Sequence, residues 1–200
     1  MGRKSLKEIR QKEIISGFYQ VAKEIGLENA SIAKVANHLN INPSLILHYF
    51  KTREELLFGL ISFILESYSE IYAIESEDNL NLAKLQSVID VLFSRKWDEL
   101  FDDGVFFSCY SMIYRDESIK KSFKKLHDSL RLMLAGVLEN YRDEGIISID
   151  DPLKTAERIF ILIEGAYYYL GMIDDLEEYE KKVEDYKALT YQIINISVEI

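Results

Sequence analysis

The residues of this chain best suited to chemistry on a polyanion lie in one short stretch, LNINPSLILHYFKTR, residues 39–53. Pro43 precedes an apolar run, and His48, Tyr49, Lys51 and Arg53 follow it. An imidazole can reach a base edge or a phosphate, a phenol and a guanidinium can hold phosphate, and Ser44 can donate to or accept from a base. Leu45 and Leu47 offer alkyl groups that suit a thymine methyl. Nothing comparable points to catalysis. His38, His48 and His127 have no metal-ligand spacing with the lone Cys109, and neither a glycine-rich phosphate loop nor a nucleophile elbow occurs. His127 beside Asp128 reads as a surface pair, because adjacent helical residues do not face each other. The expectation is a binding protein, not an enzyme, that needs no cofactor and no metal.

Those residues need elements to position them, and the hydrophobic spacing is helical along nearly the whole chain. Ile14, Phe18, Val21 and Ile25 repeat at helix spacing after Ser5, which with Glu8 forms a capping box, and Gly26 supplies a left-handed stop. Ser31 caps a second helix whose buried side is Ile32, Val35 and Leu39. Asn40 tolerates the left-handed conformation and Asn42 caps well, so Asn40, Ile41 and Asn42 make a tight connection. Pro43 then falls at the first helical position, where its missing N–H costs nothing. A capping box of Thr52 and Glu55 closes this third helix near Phe50 and opens a long fourth one through Leu56, Leu60, Ile64 and Tyr68.

Two short helices joined by a tight turn behind a longer one predict a helix-turn-helix. Its second short helix needs one apolar edge for anchorage and one free edge for a major groove about 12 Å wide. Ile46 and Phe50 supply the anchor, which leaves Ser44, Leu45, Leu47 and His48 facing outward with Pro43 at the tip. Tyr49 and Arg53 suit phosphate, and Lys4 joins them as a cation near the start of the chain. On spacing alone a second reading stays open, a packed helical corner with a partly exposed histidine.

Charge fits the first reading, with a chance imbalance at a ragged basic terminus as the alternative. The net charge is −10, yet residues 1–53 carry nine Lys or Arg against four Glu, while residues 54–200 hold 15 basic and 30 acidic side chains. A polyanion would meet one end only. No stretch approaches the roughly 18 to 20 apolar residues of a membrane span, and MGRKSLKEIR lacks the apolar core of a signal peptide. A cytoplasmic protein with no membrane partner is expected, and a single cysteine fits a reducing compartment.

The stretch SIAKVANHLNINPSLILHYFKTREEL, residues 31–56, resembles the DNA-binding signature of the TetR family of bacterial transcriptional regulators. The similarity is carried by Ser31, the Ile32-Ala33 pair, Ala36, the Tyr49-Phe50 pair, Arg53 and Leu56. It implies that Ser31, Pro43, Ser44, Leu45, Leu47, His48, Tyr49, Arg53 and Lys4 form the DNA-binding set. It also implies a three-helix reading head, an all-helical body whose last two long helices form a homodimer, and an internal cavity for a small-molecule effector. Asn40 stands where the family usually has Gly, Ser44 where it often has Gly, and Leu47 where a Tyr commonly touches phosphate. Arg53 replaces the family's usual Lys, keeping the charge and adding a fork suited to phosphate. The segment ILHYF is similar to that of the subgroup that includes repressors of choline-to-betaine genes, but is too short to carry a ligand assignment.

An all-α protein is expected, with a DNA-binding domain over 1–51 and a ligand-binding and dimerisation body over 52–200. In the body, Asn79 caps a helix through Leu82, Leu85, Ile89, Leu92 and Phe93, and Gly104 interrupts the aromatic stretch 97–114. A long helix runs from about Ser118 to Asp143, and Asp151-Pro152 opens another that reaches about Gly171. Lys120, Lys121, Lys124 and Lys125 read as a solvated helix face. RIFILIEGAYYYL is apolar almost all round, so it needs partners on more than one side. A twofold dimer through this helix and the last one follows, with Phe160, Tyr167, Tyr168, Tyr186 and Ile193 at the interface and Gly165 and Ala166 permitting close crossing. A single buried central helix is the competing arrangement. Phe63, Trp97, Phe101, Phe106, Phe107, Tyr110, Tyr114 and Met133 line an effector cavity or belong to packed core; a cavity of this kind suits a cationic or flat aromatic ligand. The functional expectation is a regulator, most simply a repressor, that binds a near-palindromic operator in double-stranded DNA as a homodimer and is released by an unidentified effector. The alternative from another class is an all-helical adaptor that binds proteins through its acidic body.

Overall fold

A computed structural model describes residues 3–71, 80–94 and 102–196, and of 3–5 and 67–71 the backbone alone. All regular structure among them is helical. The helices are α1 (Arg3–Ile25), α2 (Ile32–His38), α3 (Pro43–Tyr49), α4 (Arg53–Ile71), α5 (Leu82–Leu92) and α6 (Asp103–Ser111), the last running into a single 3-10 turn. They are followed by α7 (Glu117–Asp143), α8 (Pro152–Leu170) and α9 (Leu176–Ile193).

Packing divides the chain into two compact units. One unit holds residues 1–68 together with 98–125; the other holds 69–97 together with 126–200. The core of the first unit gathers Ile14 and Phe18 of α1, Val35 and Ala36 of α2, Ile46 of α3 and Leu56, Leu60 and Ile64 of α4. Val105 and Cys109 of α6 and Ile119 and Phe123 of α7 complete it. In the second unit Leu85, Ile89 and Leu92 of α5 and Leu130, Leu134 and Leu138 of α7 are buried, as are Ile159, Ile163 and Ala166 of α8 and Val183 of α9.

Local chemistry explains most helix ends. The Asn81 side chain accepts from the Lys84 N–H at 3.0 Å, so Asn81 caps α5; the cap expected at Asn79 lies outside the described residues. Asp102 caps α6 by accepting from the Val105 N–H at 3.0 Å, which puts Gly104 inside the first turn instead of at a break. α1 begins at Arg3, so Ser5 sits within the helix and not at its cap. Gly145 closes α7 at φ +71° in the pattern that returns two N–H groups to orphan carbonyls: Gly145 to Arg142 at 2.9 Å and Ile146 to Tyr141 at 2.9 Å. Asp151 accepts from the Lys154 N–H at 3.1 Å and Pro152 follows as the first residue of α8, as the sequence predicts.

Candidate nucleic-acid interface

The α2-turn-α3 segment is fixed at each joint by a specific residue. Ser31 caps α2, its hydroxyl accepting from the Lys34 N–H at 3.4 Å. At the other end Asn40 takes φ +52°, the Asn40 N–H returns to the Asn37 carbonyl at 3.1 Å, and the Ile41 N–H returns to Ala36 at 2.9 Å. This is the glycine-type helix stop carried out by asparagine, whose short polar side chain tolerates the left-handed region. Asn42 then accepts from the Ser44 N–H at 2.9 Å, and Pro43 opens α3 without losing a hydrogen bond.

α3 is held to the head by one edge. Ile46 is fully buried and Phe50, which ends the helix, is 6% exposed. Pro43, Ser44, Leu47 and His48 are exposed, Leu45 and Tyr49 half-buried. The outward set expected from the spacing is therefore presented on one short element, with Tyr49 partly packed on the core and the His48 ring edge-on to it at 5.1 Å. Close helix packing fixes the element behind it. A Cβ on Gly17 would come within 2.7 Å of the Leu39 side chain, and one on Gly59 within 3.1 Å of Phe50 and Ile15. The Lys4 side chain lies outside the described ones.

Arg53 stands apart from the rest of the expected set. Its Nε donates to the Ala30 carbonyl at 2.9 Å and a terminal nitrogen donates to the Leu27 carbonyl, so two of its donors point into the α1–α2 corner. The spacing that suggested a phosphate contact misses this partnership, which reaches back over more than twenty residues.

Among the described residues, the aromatic candidates of the first unit pack against one another and against its core. Phe106, Phe107, Tyr110 and Phe123 contact one another in the first unit, Phe106 and Tyr110 stacking at 6.3 Å and Tyr110 meeting Phe123 edge-on at 5.4 Å. Phe63, Phe106 and Tyr110 pack against the core, and Tyr114 is 82% exposed. Trp97 and Phe101 lie outside the described residues. Met133 is half-buried in the second unit. That unit holds a small cavity with roughly the room one water needs. Its walls are aliphatic apart from Thr190: Leu85, Ile89, Leu134, Leu138 and Ile159 are among them, and none of the aromatic candidates is.

The residues expected at a dimer interface divide as well. Phe160 is 3% exposed and covered from within its own protomer, with the Arg131 guanidinium 5.1 Å from its ring centroid and the His127 ring edge-on at 5.8 Å. The Tyr167 hydroxyl lies 3.0 Å from the carbonyls of both Leu92 and Ser94, which share its one proton. Tyr186 and Ile193 are half-buried, and Tyr168 is exposed. The exposed stripe on α8 also holds Leu153 and Ile161 and continues to Met172; the spacing of Leu153, Ile161 and Tyr168 by eight and seven residues is the signal in the sequence that could have found it. His127 is no simple surface pair with Asp128: its Nδ1 meets Glu164 of α8.

Among the described residues no three His, Cys, Asp or Glu side chains are grouped to hold a metal ion. Cys109 is fully buried, and burial pushes its thiol up to about 12, which leaves no thiolate near neutral pH. No helix of the described residues is long and apolar enough to cross a membrane.

A capped helix-turn-helix that anchors its second helix by one edge and exposes the other defines a DNA-binding protein of the transcription-regulator class. Comparison with known proteins gives the family: residues 14–60 match the model for bacterial regulatory proteins of the tetR family, and residues 80–196 match the Tetracyclin repressor-like C-terminal domain. The chain belongs to the TetR family of transcriptional regulators. Among its relatives, the HTH-type transcriptional regulator PksA of Bacillus subtilis (strain 168) is 23% identical over 195 residues, 96% of this chain and 92% of that one. A TetR transcription regulator from Haloarcula marismortui ATCC 43049 has the same fold, with TM-score 0.79 at 20% identity over 94% of this chain and 97% of that chain. A transcriptional regulator from Saccharomonospora viridis, solved in complex with choline, aligns with TM-score 0.75 at 13% identity over 91% of this chain and 95% of that chain.

Proposed function

We propose that this regulator is a homodimeric repressor that reads a near-palindromic operator with α3 and is released by a small-molecule effector. The exposure of Pro43, Ser44, Leu47 and His48 on a helix anchored by Ile46 and Phe50 carries the DNA-reading half. Ser44 and His48 contact base edges, Leu45 and Leu47 contact thymine methyls, Tyr49 and Lys4 hold phosphate, and Ser31 orients α2 across the backbone. Twin heads sit one or more duplex turns apart, about 34 Å per turn.

The dimer reading is supported by the apolar stripe of α8. Ile161 is 67%, Tyr168 64% and Met172 60% exposed, and Gly165 between them would meet nothing within 4 Å if it carried a Cβ. A protomer in water leaves that face uncovered, whereas a second copy crossing at Gly165 removes it. Leu189 of α9, 42% exposed, extends the same kind of surface.

The effector reading is supported by the aliphatic cavity between α5, α7, α8 and α9, which favours an apolar ligand over the cationic or flat aromatic one suggested by the aromatics alone. At its present size an effector enters only by widening it. Release then follows from linkage: a ligand that binds the widened body better lowers operator affinity by its differential affinity for the two shapes.

Selection of bound fragments from genomic DNA by the purified protein tests the proposal. A common near-palindromic sequence is expected, and His48→Ala shifts preference at a base position by about 1–3 kcal/mol while leaving affinity for unrelated duplexes unchanged. Recovery of fragments without a shared sequence, or a uniform loss with His48→Ala, would sink the assignment.

A further inference from the structure

We infer that Arg53 is a positioning residue of the reading head: it serves operator binding by bracing α3 through the Leu27 and Ala30 carbonyls, and holds no phosphate itself. The inference rests on the proposal that α3 reads DNA. Its basis is where the bridge falls along the chain. Ala30 immediately precedes Ser31, the cap of α2, and Arg53 is the first residue of α4, just beyond the end of α3. The two bridged points therefore bracket α2, the turn and α3, and the guanidinium closes that segment into a ring.

The chemistry calls for arginine at this place. Leu27 is 6% and Ala30 0% exposed, so carbonyls on these residues need partners from the protein, and a planar fork supplies two N–H groups at fixed geometry. A lysine ammonium is a point charge on a flexible stem and cannot reproduce the fork. The same corner takes a second cation, Lys34 Nζ donating to the Asn29 carbonyl at 3.1 Å, which leaves its carbonyls tied to α2 and α4 alike. A cation at a helix N-terminus opposes the helix dipole, so Arg53 stands where its charge is locally unfavourable, with Glu54 and Glu55 in the same turn to offset it. Its anchor is also rigid: the Lys51 N–H donates to Glu55 at 2.8 Å and the Glu55 N–H donates to the Thr52 hydroxyl at 3.2 Å. A phosphate-holding arginine would spend these donors on solvent and DNA. Here they are committed inward.

The test compares the full-length protein with Arg53→Lys and Arg53→Ala on two duplexes, a fragment recovered from genomic DNA by the wild type and a scrambled version of it. Arg53→Lys, which keeps the charge and loses the fork, is expected to weaken binding to the recovered fragment by about tenfold. Its binding to the scrambled duplex should match the wild type. Neither variant should alter the slope of affinity against salt, and in both the amides of residues 32–50 should exchange faster in the free protein. Full rescue by Arg53→Lys, or a slope shallower by about one ion in Arg53→Ala, would mean a phosphate contact and overturn the inference. So would a lowered melting temperature with an unchanged ratio of recovered to scrambled affinity, the mark of a purely structural role. Should Arg53→Ala not fold, Arg53→Lys decides alone. Should the wild type recover no fragment, the DNA reading fails, and unchanged exchange over 32–50 in Arg53→Lys still overturns the brace.

Discussion

Gly17 and Gly165 both lie inside helices, and their surroundings are opposite. A Cβ at Gly17 would drive within 2.7 Å of Cγ and Cδ2 of Leu39, whereas one at Gly165 would meet nothing within 4 Å. The first glycine belongs to the unit that carries the helix-turn-helix, where α1 and α2 pack so closely that only a missing side chain permits the approach. The second faces outward from α8 among Ile161, Tyr168 and Met172. One unit has filled the space around its small residue, and the other has left such space open on an apolar face. The difference teaches where the protein fixes its own geometry and where it leaves a surface open: α3 is held in one attitude by close packing behind it, while α8 carries an apolar face that the proposed dimer would cover.

Breaking the open side should have the largest effect. Ile161→Asp places a charge in the middle of the exposed stripe, costing several kcal/mol if that stripe is buried against a second copy and close to nothing if it stays in water. Sedimentation at micromolar concentration should find the wild type at twice the protomer mass of 23.3 kDa and the variant at the protomer mass. A wild-type protein that is monomeric at every concentration would remove the interface altogether.

Breaking the closed side comes next. Gly17→Ala gains about 1 kcal/mol of helix propensity but forces Leu39 out of its place, a cost of about 1–3 kcal/mol for overpacking. The Leu39 clash involves Cγ and both methyl carbons, so a rotamer change at the tip does not relieve it. A net loss of up to about 2 kcal/mol is expected, seen as a melting temperature lower by roughly 3 °C. An unchanged melting temperature would show that the α1–α2 approach is softer than the geometry implies.

These two sides were not equally legible in the sequence. The turn was readable because each joint announces itself chemically: Ser31, Asn40, Asn42 and Pro43 have backbone preferences that act within a few residues, and all four stand as those preferences dictate. The hydrogen bonds of Arg53 were not, because the Leu27 and Ala30 carbonyls lie more than twenty residues away, beyond the reach of any local rule. The body depends on distant packing in a related way. Apolar spacing says that Phe160 and Ile161 both belong to a helix needing cover on several sides, yet burial of Phe160 under Arg131 and exposure of Ile161 depend on where α7 runs. Aromatic content left cavity and packed core open as alternatives, because only the tertiary structure shows that rings such as Tyr110 and Phe123 meet edge-on while a small cavity of the second unit is lined by aliphatic side chains.

A subtler test sharpens the comparison by making the same change at the open glycine. Gly165→Ala should stabilise the isolated protomer by about 0.5–1 kcal/mol, because alanine loses less backbone freedom in a helix and meets no obstacle. In a dimer that crosses at this point the added methyl separates the helices, so the dissociation constant should rise while the protomer becomes more stable. Denaturant unfolding over a range of protein concentrations distinguishes the two terms. Stabilisation of the same size at all concentrations would place the contact elsewhere on the stripe.

The smallest expected effect concerns two helix caps, one in each unit. Asp116 is held below the ordinary carboxylate range chiefly by the Ser118 hydroxyl and then by the Ile119 N–H, and Asp151 chiefly by the Lys154 N–H. A carboxyl depressed on folding contributes stability that is complete above its unfolded value and is lost as pH falls through the folded one. Both contributions are therefore full at neutral pH and fade only on the acid side of the ordinary carboxylate range. Asparagine caps nearly as well and does not titrate, so Asp116→Asn and Asp151→Asn should change the melting temperature little at pH 7 and flatten its decline in acid. Neither side chain is buried, so solvent screening keeps each effect small. If the two units melt separately in acid, Asp116→Asn should move only the transition of the helix-turn-helix unit and Asp151→Asn only that of the other; a shift of both transitions by either change would show that the units unfold as one.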